Sequence, residues 1–186
     1  VKKSLMIVDM PYNTYKNKFQ ALKNCKKVLK ETKCDGIKLE GGRKLNGVIR
    51  YLTMNKIPVM GHIGITPQTI RGKYRYKGKT NLEKKKLIKD SKSLEEAGVF
   101  AIVLECVERK LSKQITETVK IPTIGIGSSK FCDGQILVTD DMLGLTESKI
   151  KFVKKYINLN KNIRQAVKKF KLDVKKSSYP SIKYSY

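Results

Sequence analysis

One histidine, His62, stands among 186 residues, and the four cysteines (Cys25, Cys34, Cys106 and Cys132) include no CxxC pair. That excludes the usual zinc sets, which draw on closely spaced Cys and His ligands. Arginine is scarce too: Arg43, Arg50, Arg71, Arg75, Arg109 and Arg164 are six of 41 basic residues. No apolar run approaches the roughly 20 residues of a bilayer-spanning helix, and the beginning carries no signal-peptide pattern. The cysteines are therefore expected as reduced, mostly buried thiols in a cytoplasmic protein. The chain opens on Val1 rather than Met and is soon in an apolar run, so the true N-terminus is expected upstream.

Basic residues are abundant, and the net charge is +25. A charge of this size raises nucleic acid or an anionic membrane surface as partners. Its makeup argues for a solvated lysine surface instead. Arginine, favoured for gripping phosphate and reading bases, contributes little, and common Lys, Ile and Asn with scarce Ala suit an A/T-rich coding sequence. Nucleic acid is thus not the expected partner. Hydrophobic residues make up 40% of the chain in short runs, enough for the core of one globular domain over residues 1–186.

Those runs alternate in kind. Leu5-Met6-Ile7-Val8 is a continuous apolar strand ending in Asp9-Met10-Pro11. Phe19, Leu22, Cys25, Val28 and Leu29 then recur at helical spacing between about 16 and 32. Gly36 to Glu40 predicts a strand, Leu45 to Leu52 a short helix, and Pro58 to Gly64 a strand running into a Thr66-Pro67-Gln68 turn. A helix is expected over 81–97, with Leu82, Leu87, Ile88, Ser91 and Leu94 inward and Gly98 as its stop. Val99 to Leu104 is the most apolar strand. Leu111, Ile115 and Val119 mark another helix, and Pro122 to Gly127 another strand. A final strand is expected at 135–139 and helices at 148–157 and 161–175. Strands alternating with helices, without hairpin signals, imply a parallel sheet, either open or closed into a barrel. Ionisable residues at the ends of four strands (Asp9, Lys38 with Glu40, His62, Glu105) favour the barrel, whose strand ends converge on one mouth.

Together these five residues suggest a chemistry. Carboxylates with open positions suit a hard cation such as Mg²⁺, which prefers oxygen and can polarise a chelated substrate. Lys38 would neutralise a substrate anion, and a carboxylate held off the metal could move protons. Plain structural roles compete: Asp9 as a turn cap, Lys38 and Glu40 as an ion pair filling the barrel, His62 as a satisfied structural residue, Glu105 as a paired charge. Gly61 and Gly64 suggest that the backbone around His62 approaches something closely. The Gly72–Thr80 segment is not a P-loop, since five residues rather than four separate its glycines. The basic, tyrosine-bearing loop from Arg71 to Lys79 reads as a lid over the mouth, though such mixing also occurs in single-strand nucleic-acid binders. Gly125-Ile-Gly127-Ser-Ser is only a weak anion-cradle signal.

The strings Asp35-Gly-Ile-Lys-Leu-Glu-Gly-Gly42 and Ile57-Pro-Val-Met-Gly-His-Ile-Gly-Ile-Thr-Pro-Gln68 resemble those of the ketopantoate hydroxymethyltransferases. So do Val103-Leu-Glu-Cys-Val107, Ile121-Pro-Thr-Ile-Gly-Ile-Gly127, Cys132-Asp-Gly-Gln135 and Asp141-Met-Leu-Gly-Leu145, in family order from Leu5 to at least Tyr156. The resemblance implies a (β/α)8 TIM barrel. It implies transfer of a one-carbon unit from 5,10-methylenetetrahydrofolate to 3-methyl-2-oxobutanoate, giving 2-dehydropantoate for pantothenate synthesis through a Mg²⁺-stabilised enolate. It further implies Asp9 and Glu40 at the metal, Asp9, Lys38 and His62 at the keto acid, and Glu105 as proton acceptor. A homodecamer is typical of the family.

The chain departs from that pattern in places. The first two barrel strands and an Asp-Ser pair after the second are expected to be missing, leaving the metal site incomplete and the isolated chain poorly active. Gly127-Ser-Ser-Lys130 replaces the usual Gly-Ala-Gly, and Thr139-Asp140 stands where His-Asp is common. Two other readings stay open: a basic module binding RNA or another polyanion without catalysis, and a different Mg²⁺-dependent barrel enzyme of 2-oxo acids.

Overall fold

A computed structural model describes residues 3–70 and 75–186. Six strands form one sheet: β1 (Ile7–Asp9), β2 (Gly36–Glu40), β3 (Val59–Gly64), β4 (Ala101–Glu105), β5 (Thr123–Ile126) and β6 (Gly134–Gln135). They lie side by side in sequence order, and every neighbouring pair is parallel. A doubly wound sheet reverses its strand order at a switch point. The unbroken order here is that of an α/β barrel, and the sheet curls as a half-barrel of six strands.

The crossovers carry α1 (Lys18–Thr32), α2 (Asn46–Met54), α3 (Asn81–Glu96) and α4 (Arg109–Thr118). Three of these helices begin where a side chain accepts from free N–H groups of the first turn. Asn17 accepts from Gln20 N, Thr80 from Glu83 N, and Glu108 from Lys110 N and Leu111 N. Gly98, at φ +88°, turns the chain out of α3 as expected.

Side chains alternate across a strand, so each strand splits its residues between two faces. Ile37, Leu39, Ile102 and Leu104 go to the hydrophobic core with Leu94, Leu111 and Ile115 from the helices. All are essentially fully buried, each worth about 1.5–3 kcal/mol. The alternate positions, Lys38, Glu40, His62 and Glu105, therefore share the opposite face.

A second compact unit spans Leu137–Tyr186 and holds α5 (Thr139–Met142) and α6 (Leu159–Lys175). Here the structure departs from expectation. The strand expected at 135–139 is only Gly134–Gln135. The β-branched alternation of Ile136 and Val138 leaves both about half exposed, and α5 begins at once with Asp140 and Asp141 in its first turn. Acidic residues favour a helix start. The helix expected at 148–157 is not formed. Its backbone is used elsewhere: Tyr156 N donates to Met142 O at 2.9 Å and Val153 N to Ile150 O at 3.0 Å. Two inward assignments fail as well. Leu82 is 80% exposed and Phe19 is 66% exposed, the latter edge-on to Tyr51 at 5.8 Å. Residues 71–74 of the expected lid lie outside the described residues. No helix among the described residues is long and apolar enough to cross a membrane.

Candidate active site

Register brings the ionisable residues together. Asp9 lies opposite Lys38, Glu40 opposite His62, and Gly64 opposite Glu105. All five polar side chains singled out in the sequence thus meet at the C-terminal ends of β1 to β4.

Lys38 is their centre. Its Nζ lies 2.9 Å from Asp9 Oδ1, 3.1 Å from His62 Nδ1 and 3.9 Å from Glu40 Oε1. An ammonium group only donates, so Nδ1 of His62 accepts and Nε2 carries the ring proton. Nε2 sits 2.8 Å from the carbonyl oxygen of Ile65 and 3.3 Å from Glu105 Oε2. The histidine is buried, its Nε2–H goes to Ile65 O, and Glu105 stands beside the ring.

The three carboxylates differ in setting. Asp9 is paired with Lys38 yet its side chain keeps 46% of its exposure. Glu40 is buried, and its Oε2 accepts from Gln68 N at 3.0 Å. Burial raises the Glu40 carboxyl above the ordinary carboxylate value and Asp9 adds to this, while the Gln68 N–H and the Lys38 charge pull it back. Glu105 is 14% exposed at the side chain, open enough to meet a ligand but short of bulk water.

The sign of the Glu40 shift gives a testable result. The folded chain holds this proton more tightly than the unfolded chain does. The stability it confers is full below the unfolded pKa and lost as pH rises through the folded one. Glu40→Gln removes that loss and leaves the 2.9 Å Lys38–Asp9 pair in place. The variant is expected to melt above the parent at neutral pH and to converge with it in acid, as thermal unfolding at pH 4 and pH 7.5 would record.

Sequence reading did not single out two supporting residues, Gln68 and Tyr15. Gln68 donates from Nε2 to Met10 O at 2.9 Å and accepts from Tyr15 OH at 2.9 Å, besides its backbone bond to Glu40. The only hint was the Thr66-Pro67-Gln68 turn, which holds Gln68 beneath the site. Tyr15 follows no motif; burial raises its hydroxyl above the ordinary value, and the charges of Glu40 and Asp9 add to the effect. Ser128, one of the altered loop residues, accepts from Val107 N at 3.1 Å and donates to Leu104 O at 2.6 Å. The substitution thus ties the loop after β5 to the end of β4.

A family model described as ketopantoate hydroxymethyltransferase matches residues 1–182. The chain belongs to the ketopantoate hydroxymethyltransferase family. The 3-methyl-2-oxobutanoate hydroxymethyltransferase of Pelagibacter ubique is 58% identical over 186 residues, covering 100% of this chain and 72% of that protein. Proteins of the same name from Helicobacter pylori and a Nitratiruptor species are 47% identical over 188 residues and 46% over 184, with 100% and 98% of this chain and 70% of each relative covered. As a member of the ketopantoate hydroxymethyltransferase family the chain is a transferase-type enzyme.

Among the described residues, no three His, Cys, Asp or Glu side chains converge as a preformed metal cage. That is compatible with magnesium, which typically sits on one or two carboxylates and completes its shell with water and substrate oxygens. Asp9 is half-exposed and open to such an ion, whereas Glu40 is buried, with the Lys38 ammonium between the two.

Proposed function

We propose that this mouth transfers a hydroxymethyl group to 3-methyl-2-oxobutanoate, giving 2-dehydropantoate in pantothenate synthesis, with 5,10-methylenetetrahydrofolate as donor. The observation that carries the reading is the row Lys38–His62–Glu105, in which one buried imidazole lies 3.1 Å from a cation and 3.3 Å from a partly open carboxylate. An anion clamp beside a positioned base is what removal of a proton next to a 2-oxo acid requires.

Each residue has a stated part. Glu105 takes the C3 proton, and the electron pair of that C–H bond moves into an enolate. His62, its Nε2–H donated to Ile65 O, stands beside Glu105 as a polar wall and keeps Lys38 aimed into the mouth through Nδ1. The Lys38 ammonium faces the anionic end of the keto acid, which shares the cation with Asp9. Asp9, joined by Glu40 once Lys38 turns to the substrate anion, would hold Mg²⁺, which when bound supplies Lewis acidity toward the keto oxygen. The enolate carbon forms a C–C bond to a carbon at the oxidation level of formaldehyde. With one water the sum balances: keto acid and methylenetetrahydrofolate give 2-dehydropantoate and tetrahydrofolate. A cytoplasmic setting belongs to the same reading, supported by four free, buried cysteines, as does assembly with further copies of the chain.

Proton NMR in D₂O tests the central step. The C3 signal of 3-methyl-2-oxobutanoate is expected to disappear when the full-length protein and Mg²⁺ are both present, and 2-dehydropantoate to form on adding the folate donor. A folded full-length protein supplied with Mg²⁺ that exchanges no C3 proton would overturn the reading.

A further inference from the structure

Beyond the carboxylates, the segments that follow β4 and β5 carry a second polar-aromatic feature with no part in the proton chemistry. Arg109, Lys110, Lys113 and Phe131 line a cavity of about 230 Å³. Arg109 and Lys110 open α4, four and five residues after Glu105, and Phe131 lies in the loop after β5. Strands β4 and β5 are neighbours, so the start of α4 and the loop that runs from β5 to β6 lie side by side.

The walls are held. Ser128 bridges the two loops through Leu104 O and Val107 N, and Cys106 N donates to Ile126 O at 2.9 Å. Phe131 N donates to the buried Ser129 Oγ at 3.3 Å. Yet the Phe131 side chain stays open, with the residue 45% exposed. Lys113 Nζ and Lys130 Nζ lie 4.9 and 5.4 Å from its ring centroid. An aromatic face ringed by cations attracts them weakly when solvated, and leaves them free to turn to a better anion.

Charge favours such an anion. Four cations (Arg109, Lys110, Lys113, Lys130) stand against three acids of α4 and the loop after β5, Glu108, Glu117 and Asp133, each of them engaged, the last accepting from Thr123 N at 2.8 Å. Glu108 caps α4 through Lys110 N at 3.0 Å and Leu111 N at 2.9 Å, and Glu117 pairs with Lys113 at 3.5 Å across one helical turn. The helix start is therefore already filled by Glu108, and a ligand would meet side-chain cations. A ligand that uses both features carries an aryl ring and carboxylates.

We infer that this cavity is the subsite for the aminobenzoylglutamate arm of the folate donor, with the aryl ring on Phe131 and the glutamate carboxylates among Arg109, Lys110 and Lys113. The inference rests on the folate reading above. It places the donor's anionic tail beside β4, in the loops that follow Glu105.

Calorimetric titration of the full chain with tetrahydrofolate tests it, alongside tetrahydropteroate, which has the ring but no glutamate. Phe131→Ala and the double variant Lys110→Gln/Lys113→Gln change exposed positions, and melting curves check that each folds. Stacking and exposed charge pairs of this kind predict about tenfold weaker tetrahydrofolate binding for each variant. The double variant should also lose part of the salt dependence, and tetrahydropteroate should bind the parent weakly and be indifferent to the lysine changes. Equal tetrahydrofolate affinity in parent and variants would overturn the subsite while leaving the folate reading intact. A parent that exchanges the C3 proton but binds no tetrahydrofolate would overturn the folate reading, and the subsite with it.

Discussion

Glu105→Gln is expected to lower Mg²⁺-dependent exchange of the 3-methyl-2-oxobutanoate C3 proton by about 10²- to 10⁴-fold, the usual worth of a positioned general base. The choice among three carboxylates rests on what each already does. Asp9 is ion-paired to Lys38 at 2.9 Å. Glu40 is buried under Gln68 N. Among the described residues Glu105 faces only the His62 ring, at 3.3 Å, and keeps an open edge. Glutamine has the same shape and can keep its place beside the His62 ring, but it cannot take a proton. Keto-acid affinity and melting temperature should therefore stay near those of the parent while exchange falls. The opposite pattern, weak binding with exchange per bound substrate unchanged, would assign Glu105 to substrate holding and require another base.

Much of this site was legible because buried parallel strands are marked at both ends. Gly36–Glu40 is one of them: its apolar Ile37 and Leu39 alternate with Lys38 and Glu40, so period two alone puts the last pair on one face. His62 and Glu105 could be placed at strand ends for the same reason. Their mutual distances could not be read, because those depend on register between strands far apart in sequence. Nothing local pairs Glu40 with His62 rather than with Gly61. The centring of the cluster on Lys38, and the Nε2–H tautomer of His62 that follows, are products of that register.

Other misses have a different cause. Phe19 and Leu82 fit the apolar stripe of their helices, but a stripe defines a direction and not a depth; both sit at the first turns, beyond the reach of the sheet. In the second unit the pattern itself misleads. Ile163, Val167, Phe170 and Val174 recur at helical spacing in α6 and are all about half exposed, so periodicity identified the helix but not what it packs on. Gln68 escaped notice because its main contact with Glu40 is made by a backbone N–H, which any residue type supplies.

Gly64→Ala is expected to be the most damaging small substitution in the sheet, and the comparison with Gly61→Ala shows why. Both glycines flank His62. A Cβ added at Gly61 would meet Leu94 Cδ1 at 2.8 Å, the far end of a side chain that can shift at modest cost. A Cβ at Gly64 would collide with the carbonyl oxygen of Glu105, which is backbone, and reach Val107 Cγ2 at 2.8 Å, from a φ of +103° that side chains rarely adopt. Neither obstacle can yield alone, because that carbonyl accepts from Ile65 N at 2.8 Å and its strand is locked between β3 and β5. Backbone strain and steric conflict together predict a loss of at least about 3 kcal/mol, or roughly 6–12 °C in Tm for a chain of this size. Relief by moving the end of β4 would carry Glu105 away from His62, so exchange in whatever protein stays folded should fall with stability. Gly61→Ala should lose less stability and keep most of its exchange. If Gly64→Ala melted within about 0.5 kcal/mol of the parent, the range of ordinary surface changes, the close approach of β3 to β4 at the mouth would be wrong, and with it the 3.3 Å contact between His62 and Glu105.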